Sequence, residues 1–149
     1  MSGTLTPELI FSVAGQAAMA GWLILIFLPR RIKPLFMIPQ CLIPFGLGLL
    51  YGGLVLSNFF SGEGGYGSLA DVRTLFENDY MLLAGWVHYL AFDLFIGAWI
   101  AREADLIGMS RLIQPVLLLA TFMFGPVGLV LFLIMRAPFY KPTGEEVHA

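Results

Sequence analysis

Trp86-Val87-His88-Tyr89-Leu90-Ala91-Phe92-Asp93-Leu94-Phe95 lies within a run of 22 residues, between Asp79 and Arg102, that holds no other acidic, basic or imidazole side chain. A run of this length matches the ~20 residues a helix needs to cross a hydrocarbon core. His88 and Asp93 thus place an imidazole and a carboxyl at membrane depth. An ionised group costs several kcal/mol there, so such a pair reads first as a functional site.

The flanking sequence is of the same kind. There are 21 uncharged residues between Glu8 and Arg30, 29 between Lys33 and Glu63, and 24 between Arg111 and Arg136. Hydrophobic residues make up 58% of the 149 positions and charged ones 12%, with a mean hydropathy of +0.84, far more apolar than a soluble domain of this size. The expected fold is all-α: a polytopic membrane protein forming a four-helix transmembrane bundle, with spans at about 9–29, 35–58, 80–101 and 112–135. An external loop over 59–79 and a tail over 137–149 complete one membrane domain, 1–149, since the connections are too short to build a second core. The first span is expected to be retained, because Met1 to Glu8 carries no basic n-region and the apolar run exceeds that of a cleavable signal.

Basic residues set the expected orientation. Arg30, Arg31 and Lys33 occupy the first turn and Arg102 and Arg111 flank the third, whereas Arg73, Arg136 and Lys141 fall on the other side. Five against three favours cytoplasmic turns and both termini outside. A net charge of −2 without a basic stripe argues against nucleic acid. Cys41 is the sole cysteine, which excludes an intrachain disulfide and a CxxC site and leaves it an apolar core residue.

Within the loop, Ser61-Gly62-Glu63-Gly64-Gly65-Tyr66-Gly67 reads as a turn, and Ser68-x-x-Asp71 has the form of a capping box. Leu69, Val72 and Phe76 follow at helical spacing, so a short external amphipathic helix is expected between spans two and three. It serves either as a lid over a lateral entrance or as a connector on the headgroups. Gly46, Gly48, Gly52 and Gly53, including Gly48-x-x-x-Gly52, are expected to mark helix contacts. Pro126, within Gly125-Pro126-x-Gly128, lacks an N–H and displaces the Phe122 carbonyl, which predicts a bend with a free acceptor. Pro39 and Pro44 are expected to act similarly early in the second span.

At 1.5 Å rise per residue, Asp93 and His88 lie about 4 Å to either side of the third span's midpoint, roughly 7.5 Å apart and about 140° apart in azimuth. They do not bond to each other within the helix but can flank one bound object. Depth matching brings Thr121 and the Phe122 carbonyl near Asp93, and Gln16 and Tyr51 near His88, with Tyr89 one turn from Asp93. A carboxylic acid and a neutral imidazole strand no charge in lipid and supply one acid and one base. The bland reading is that both only hydrogen-bond between helices. No lysine lies in a span to anchor a Schiff base, haem ligation lacks partners, and no metal or other cofactor is expected. His148, in the tail, is inert.

Trp86-Val87-His88-x4-Asp93-Leu94-Phe95, followed by Phe124-Gly125-Pro126-Val127-Gly128, resembles the abscisic-acid-deficient-4-like (ABA4-like) family of four-helix membrane proteins across the spanning region. The resemblance implies chemistry like that of plant members implicated in making neoxanthin, in which a 5,6-epoxide isomerises to an allenic alcohol without net redox change. It implies Asp93 as acid and His88 as base, with Gln16, Tyr51 and Thr121 as orienting groups. Trp86, Phe92, Phe95, Trp99, Phe122 and Phe124 become candidate polyene contacts, with Tyr89 beside the acid. Many members carry arginine five positions after the aspartate, where this chain has Ala98.

Two function classes stay open: a membrane-embedded isomerase or binder for a carotenoid or other isoprenoid, and a non-catalytic scaffold or partner-binding subunit whose His/Asp pair locks helices. The first predicts a cavity reaching both side chains; the second predicts both satisfied with none between them. Membrane lipid is the expected surrounding and a homo-oligomer stays open. The lack of a transit peptide points to a bacterial inner membrane.

Overall fold

The computed structural model describes residues 6–28, 32–60 and 63–139. Arg30, Arg31, Ser61, Gly62, Lys141 and His148 lie outside the described residues. In chain order the elements are α1 (Pro7–Phe27), α2 (Lys33–Met37), a π-helical turn (Ile38–Leu42), α3 (Ile43–Asn58), α4 (Leu69–Leu75), α5 (Asp79–Leu106), α6 (Gln114–Phe124), α7 (Pro126–Arg136) and a closing 3₁₀ turn (Ala137–Phe139). Among the described residues, three segments are long and apolar enough to cross a membrane: Pro7–Phe27, Lys33–Asn58 and Asp79–Leu106.

Local chemistry sets the helix starts. Thr6 caps α1 by accepting from the Leu9 N–H at 3.3 Å, with Pro7 at the first position, where its missing N–H is harmless. Asn78 caps α5, accepting from the Tyr80 and Met81 amides. Ser68 accepts from the Asp71 amide at 3.1 Å, which starts the short α4 as the loop sequence predicts. Pro39 removes a helical donor, and the chain absorbs the loss as a π turn rather than a break. Pro44 sits in the first turn of α3 without interrupting it.

α5 is the axis of the fold. Its 28 residues make a rod of about 42 Å, and small residues such as Ala84, Ala91, Ala98, Ala101 and Ala104 are buried along it. α1 packs closely because Gly97 leaves room for the Trp22 ring and Gly21 for the Leu94 side chain; a methyl at either position would collide. Trp22, Leu25, Leu94, Leu118 and Phe132 fill the core toward the Leu106 end of α5. Ala14, Ala18, Leu47, Leu83 and Val87 fill it toward the Asp79 end. Apolar side chains cover the outside too, with Phe45, Leu49 and Leu56 exposed on α3, as lipid-facing residues should be. The glycines of α3 face outward as well: a methyl on Gly46, Gly48, Gly52 or Gly53 would meet nothing within 4 Å. The expected role of the Gly48-x-x-x-Gly52 spacing in contacts within this bundle is therefore not realised. Gly21, Gly97 and Gly128 make the close approaches instead.

The fourth span departs from expectation. α6 begins at the Leu106 end of α5, where Gln114 donates to the Asp105 carboxylate at 3.0 Å and to the Met109 carbonyl at 2.9 Å. It climbs to the middle of α5, where Phe122 meets Trp22 and Tyr89. At Gly125, with φ +48° and ψ −101°, the chain reverses. α7 then runs back down: Gly128 rests directly on the Thr121 backbone, Phe132 packs edge-on against Trp99, and Arg136 pairs with Glu103 at 3.0 Å. Each arm has 11 residues, or about 16 Å, half of a ~30 Å hydrocarbon core. The run at 112–135 is thus a hairpin of two short arms and not one continuous helix. The bend expected at Pro126 is real but is a full reversal centred on Gly125.

The hairpin places the ends of the chain differently from the arrangement expected above. Arg136 lies at the same end of the bundle as Lys33, Arg102 and Arg111, not opposite them, and Thr6 and Phe139 sit at opposite ends of the described structure. In a Cys41→Ser background sealed in vesicles, Leu112→Cys and Ala137→Cys are expected to react with an impermeant maleimide from one side and Leu69→Cys from the other. Ala137→Cys reacting together with Leu69→Cys would restore the four-crossing arrangement.

Candidate functional site

Asp93 lies half-buried at the point where three elements meet. α5 carries it, α1 passes beside it, and the tip of the α6–α7 hairpin presses on it. Gly125 makes that contact possible, since a methyl at this position would stand 2.9 Å from both carboxyl oxygens. The same residue also supplies the positive φ that the reversal needs, so two demands fall on one glycine.

Beside the carboxyl is a cavity of about 260 Å³, lined by Gly15, Ala18, Met19 and Trp22 from α1, Trp86, Tyr89, Leu90 and Asp93 from α5, and Phe122 and Met123 from α6. One carboxyl oxygen, Oδ2, is buried without a hydrogen-bond partner. The Tyr89 hydroxyl has one hydrogen and two acceptors in reach: the Phe122 carbonyl at 3.5 Å and the Asp93 carboxyl. The carbonyl freed by Pro126 therefore finds a donor from the neighbouring helix, as membrane-buried backbone requires. Trp86 stacks on Phe11 at 5.8 Å and on Tyr89 at 5.4 Å, forming an aromatic wall toward the Asp79 end.

Four of the predicted site residues, Trp86, Tyr89, Asp93 and Phe122, share this cavity. His88 does not. It lies on the other side of α5, exposed, with its ring 4.5 Å from Phe92 and 5.2 Å from Tyr51. Leu90, Ala91 and Leu94 on α5 are buried, so the two sides of the helix are separated by packed core rather than joined by a pocket. The expectation that His88 and Asp93 flank one guest is corrected accordingly. The azimuth of about 140° holds, and α3 occupies one side of α5 while α1 and α6 occupy the other. Thr121 is buried, but its hydroxyl donates to the Leu117 carbonyl of its own helix at 2.9 Å and does not line the cavity. Gln16 is exposed and donates to the Ser12 hydroxyl at 3.1 Å. Cys41 is exposed rather than a core residue. Among the described residues, no cluster of three or more His, Cys, Asp or Glu could hold a metal ion.

Sequence reading missed Gly15, Ala18, Met19, Trp22 and Met123. The signal available for the first four was their spacing, 15, 18, 19 and 22, which puts them on one face of α1; Gly15 opens space there, since a methyl on it would touch nothing. Ala98 is fully buried in the core on a different side of α5 from Asp93, so its methyl packs helices and faces no carboxyl.

The sequence model of the family described as ABA DEFICIENT 4-like matches residues 9–132. The chain belongs to the ABA4-like family. The matched stretch runs from the first turn of α1 to Phe132 in α7 and so takes in the cavity, Asp93 and the hairpin tip of this ABA4-like protein. No curated protein and no solved structure matches it.

Gly125→Ala should lower the thermal midpoint in detergent by an amount equivalent to about 1–3 kcal/mol, through overpacking against the carboxyl and the strained φ. Gly15→Ala, pointing into empty space, should not lower it. Equal melting of the two variants would remove the close fit between the hairpin tip and Asp93.

Proposed function

We propose that this ABA4-like membrane protein binds a carotenoid or other isoprenoid in the cleft between α1, α5 and α6 and isomerises it with Asp93 as the proton carrier. The observation that carries this reading is Asp93 in the wall of an apolar cavity halfway along the longest span, with its Oδ2 buried beside the hairpin tip and unpartnered. A carboxyl kept only to lock helices would have its oxygens satisfied by a neighbour. Here one oxygen faces the tip of a hairpin and lacks a partner, which favours a guest over a lock. His88 is likewise without a hydrogen bond among the described residues, so the helix-locking role loses support for both members of the pair.

One carboxyl suffices for the chemistry. As an acid, Asp93 delivers its proton to the epoxide oxygen while the C–O bond breaks and positive charge develops on the carbon. The resulting carboxylate then removes a proton from the adjoining polyene carbon as the allene forms. The acid is restored, atoms balance and no electrons are exchanged. Tyr89 holds the carboxyl in place and can shift its hydrogen between Asp93 and the Phe122 carbonyl, supporting both protonation states. Aromatic faces of Trp86, Trp22 and Phe122 suit a flat conjugated chain. Lys33, Arg102, Arg111 and Arg136 gather at the Leu106 end and Arg73 at the other, which favours a cytoplasmic Leu106 end.

Violaxanthin incubated with the protein in lipid nanodiscs is expected to yield an allenic product of unchanged mass, separable by chromatography. Asp93→Asn should cut its rate by about 10²-fold or more while still binding the polyene, and His88→Ala should leave the rate within about threefold. Undiminished turnover in Asp93→Asn, or loss of turnover in His88→Ala with the fold and polyene binding intact, would overturn the assignment.

A further inference from the structure

His88 is exposed about 14 Å along α5 from Asp79, near the middle of the hydrocarbon depth. Its ring stacks on Phe92 at 4.5 Å and lies 5.2 Å from the ring of Tyr51, which sits at the middle of α3. Ring contact is all that joins the two polar groups. Among the described residues neither the imidazole nor the Tyr51 hydroxyl makes a hydrogen bond, to the other or to any further group. At this depth no water makes good the deficit, and a polar side chain left unpaired against acyl chains is costly. The missing partners must come from outside the fold of one chain.

The surface around the pair can receive one. On α3, Gly48, Tyr51, Gly52 and Val55 share a face at spacings of three and four residues, and a methyl on either glycine would meet nothing within 4 Å. Another helix can therefore come down to the α3 backbone right beside the unpaired hydroxyl. On α5, His88, Phe92 and Phe95 are exposed at the same helical spacing. Lys33–Asn58 is also the least buried of the three long segments.

The occupant that fits is a second copy of the chain. Copies inserted in one orientation are related by an axis along the membrane normal, so groups at equal depth meet. Tyr51 and His88 share a depth to within the 5.2 Å between their rings, and a hydroxyl donor matches an imidazole acceptor. A two-fold axis forms the bond twice and uses both unpaired groups of each chain. A different partner would have to bring its own matching pair to that depth.

We propose that this face is a dimer interface, in which the Tyr51 hydroxyl of each copy donates to the partner's His88 while the chains approach over Gly48 and Gly52. The cavity at Asp93 is lined by α1, α5 and α6 of one chain and is complete in each copy, so the interface does not rest on the function proposed above. It gives a role to the one imidazole in the spans, which the cleft does not use.

The test uses the full chain carrying donor and acceptor dyes on Ala137→Cys in a Cys41→Ser background, reconstituted in vesicles over a range of protein-to-lipid ratios. Energy transfer above that of randomly placed monomers reports association, and the parent should form dimers. Tyr51→Phe and His88→Phe keep the ring packing and lose the bond. Each should raise the protein density at half-association about fivefold or more, and the double variant no further than the larger single effect, since the two groups share one bond. Gly48→Leu should dissociate the dimer, and Gly46→Leu, about 200° away around α3, should leave it intact. Unchanged thermal midpoints separate lost association from lost fold. A parent that stays monomeric at every density, a Tyr51→Phe variant that associates like the parent, or single effects that add in the double variant would overturn the interface.

Discussion

In a bilayer every backbone polar group must be satisfied by protein, and a chain that reverses at mid-depth meets this demand at its most awkward point. This chain reverses at Gly125. The carbonyl that Pro126 leaves free on Phe122 is met by the Tyr89 hydroxyl, the Thr121 carbonyl by the Gly125 amide at 2.7 Å, and the Thr121 hydroxyl bonds within its own turn. Glycine at 125 and at 128 lets the two arms and α5 approach closely enough for these bonds to form. The hairpin tip in turn closes one side of the cavity and sets the surroundings of Asp93. Fold and candidate chemistry thus share one constraint.

The arms of the hairpin are anchored where they end. Gln114 ties α6 to Asp105 and Met109, and Arg136 ties α7 to Glu103 while its guanidinium lies 5.7 Å over the Trp99 ring. Trp99 also takes the edge of Phe132. These groups lie near the Leu106 end of α5, where polar partners are less costly than at its middle. The tip is consequently held by two polar clamps about one arm's length away, and the apolar contacts between clamp and tip carry the register.

Much of the architecture was legible in the sequence. Two uncharged runs and the run that holds only His88 and Asp93 predict the three long helical segments, and Ser68-x-x-Asp71 predicts the start of α4, because length and capping are local properties. The hairpin was not legible from the 24 uncharged residues between Arg111 and Arg136, since two half-crossings and one full crossing have the same apolar length. The discriminating signals were present but individually weak: Gly125-Pro126 at the middle of the run, Gly128 three residues on, and Arg136 at its end. For the site, helical geometry correctly separated His88 from Asp93 in azimuth. It could not say which neighbours would stand on each side of α5, and that decides whether two groups share a pocket. α3 takes the His88 side, so the imidazole is left with Tyr51 and Phe92 while the carboxyl alone faces the cleft.

Ala98 shows why a position counted along the sequence has to be placed in azimuth before chemistry is assigned to it. Five residues beyond Asp93 lies about 140° around the helix, the same rotation that separates His88 from it in the other direction. Position 98 thereby falls in the core shared with Trp22 and Leu118, where alanine lets the helices meet and a longer side chain would have to displace them. One residue earlier, Gly97 accommodates the Trp22 ring, which also lines the cavity. The small residues after Asp93 thus position an aromatic wall of the cleft. What stands against the carboxyl itself is the hairpin tip, not a cation from its own helix.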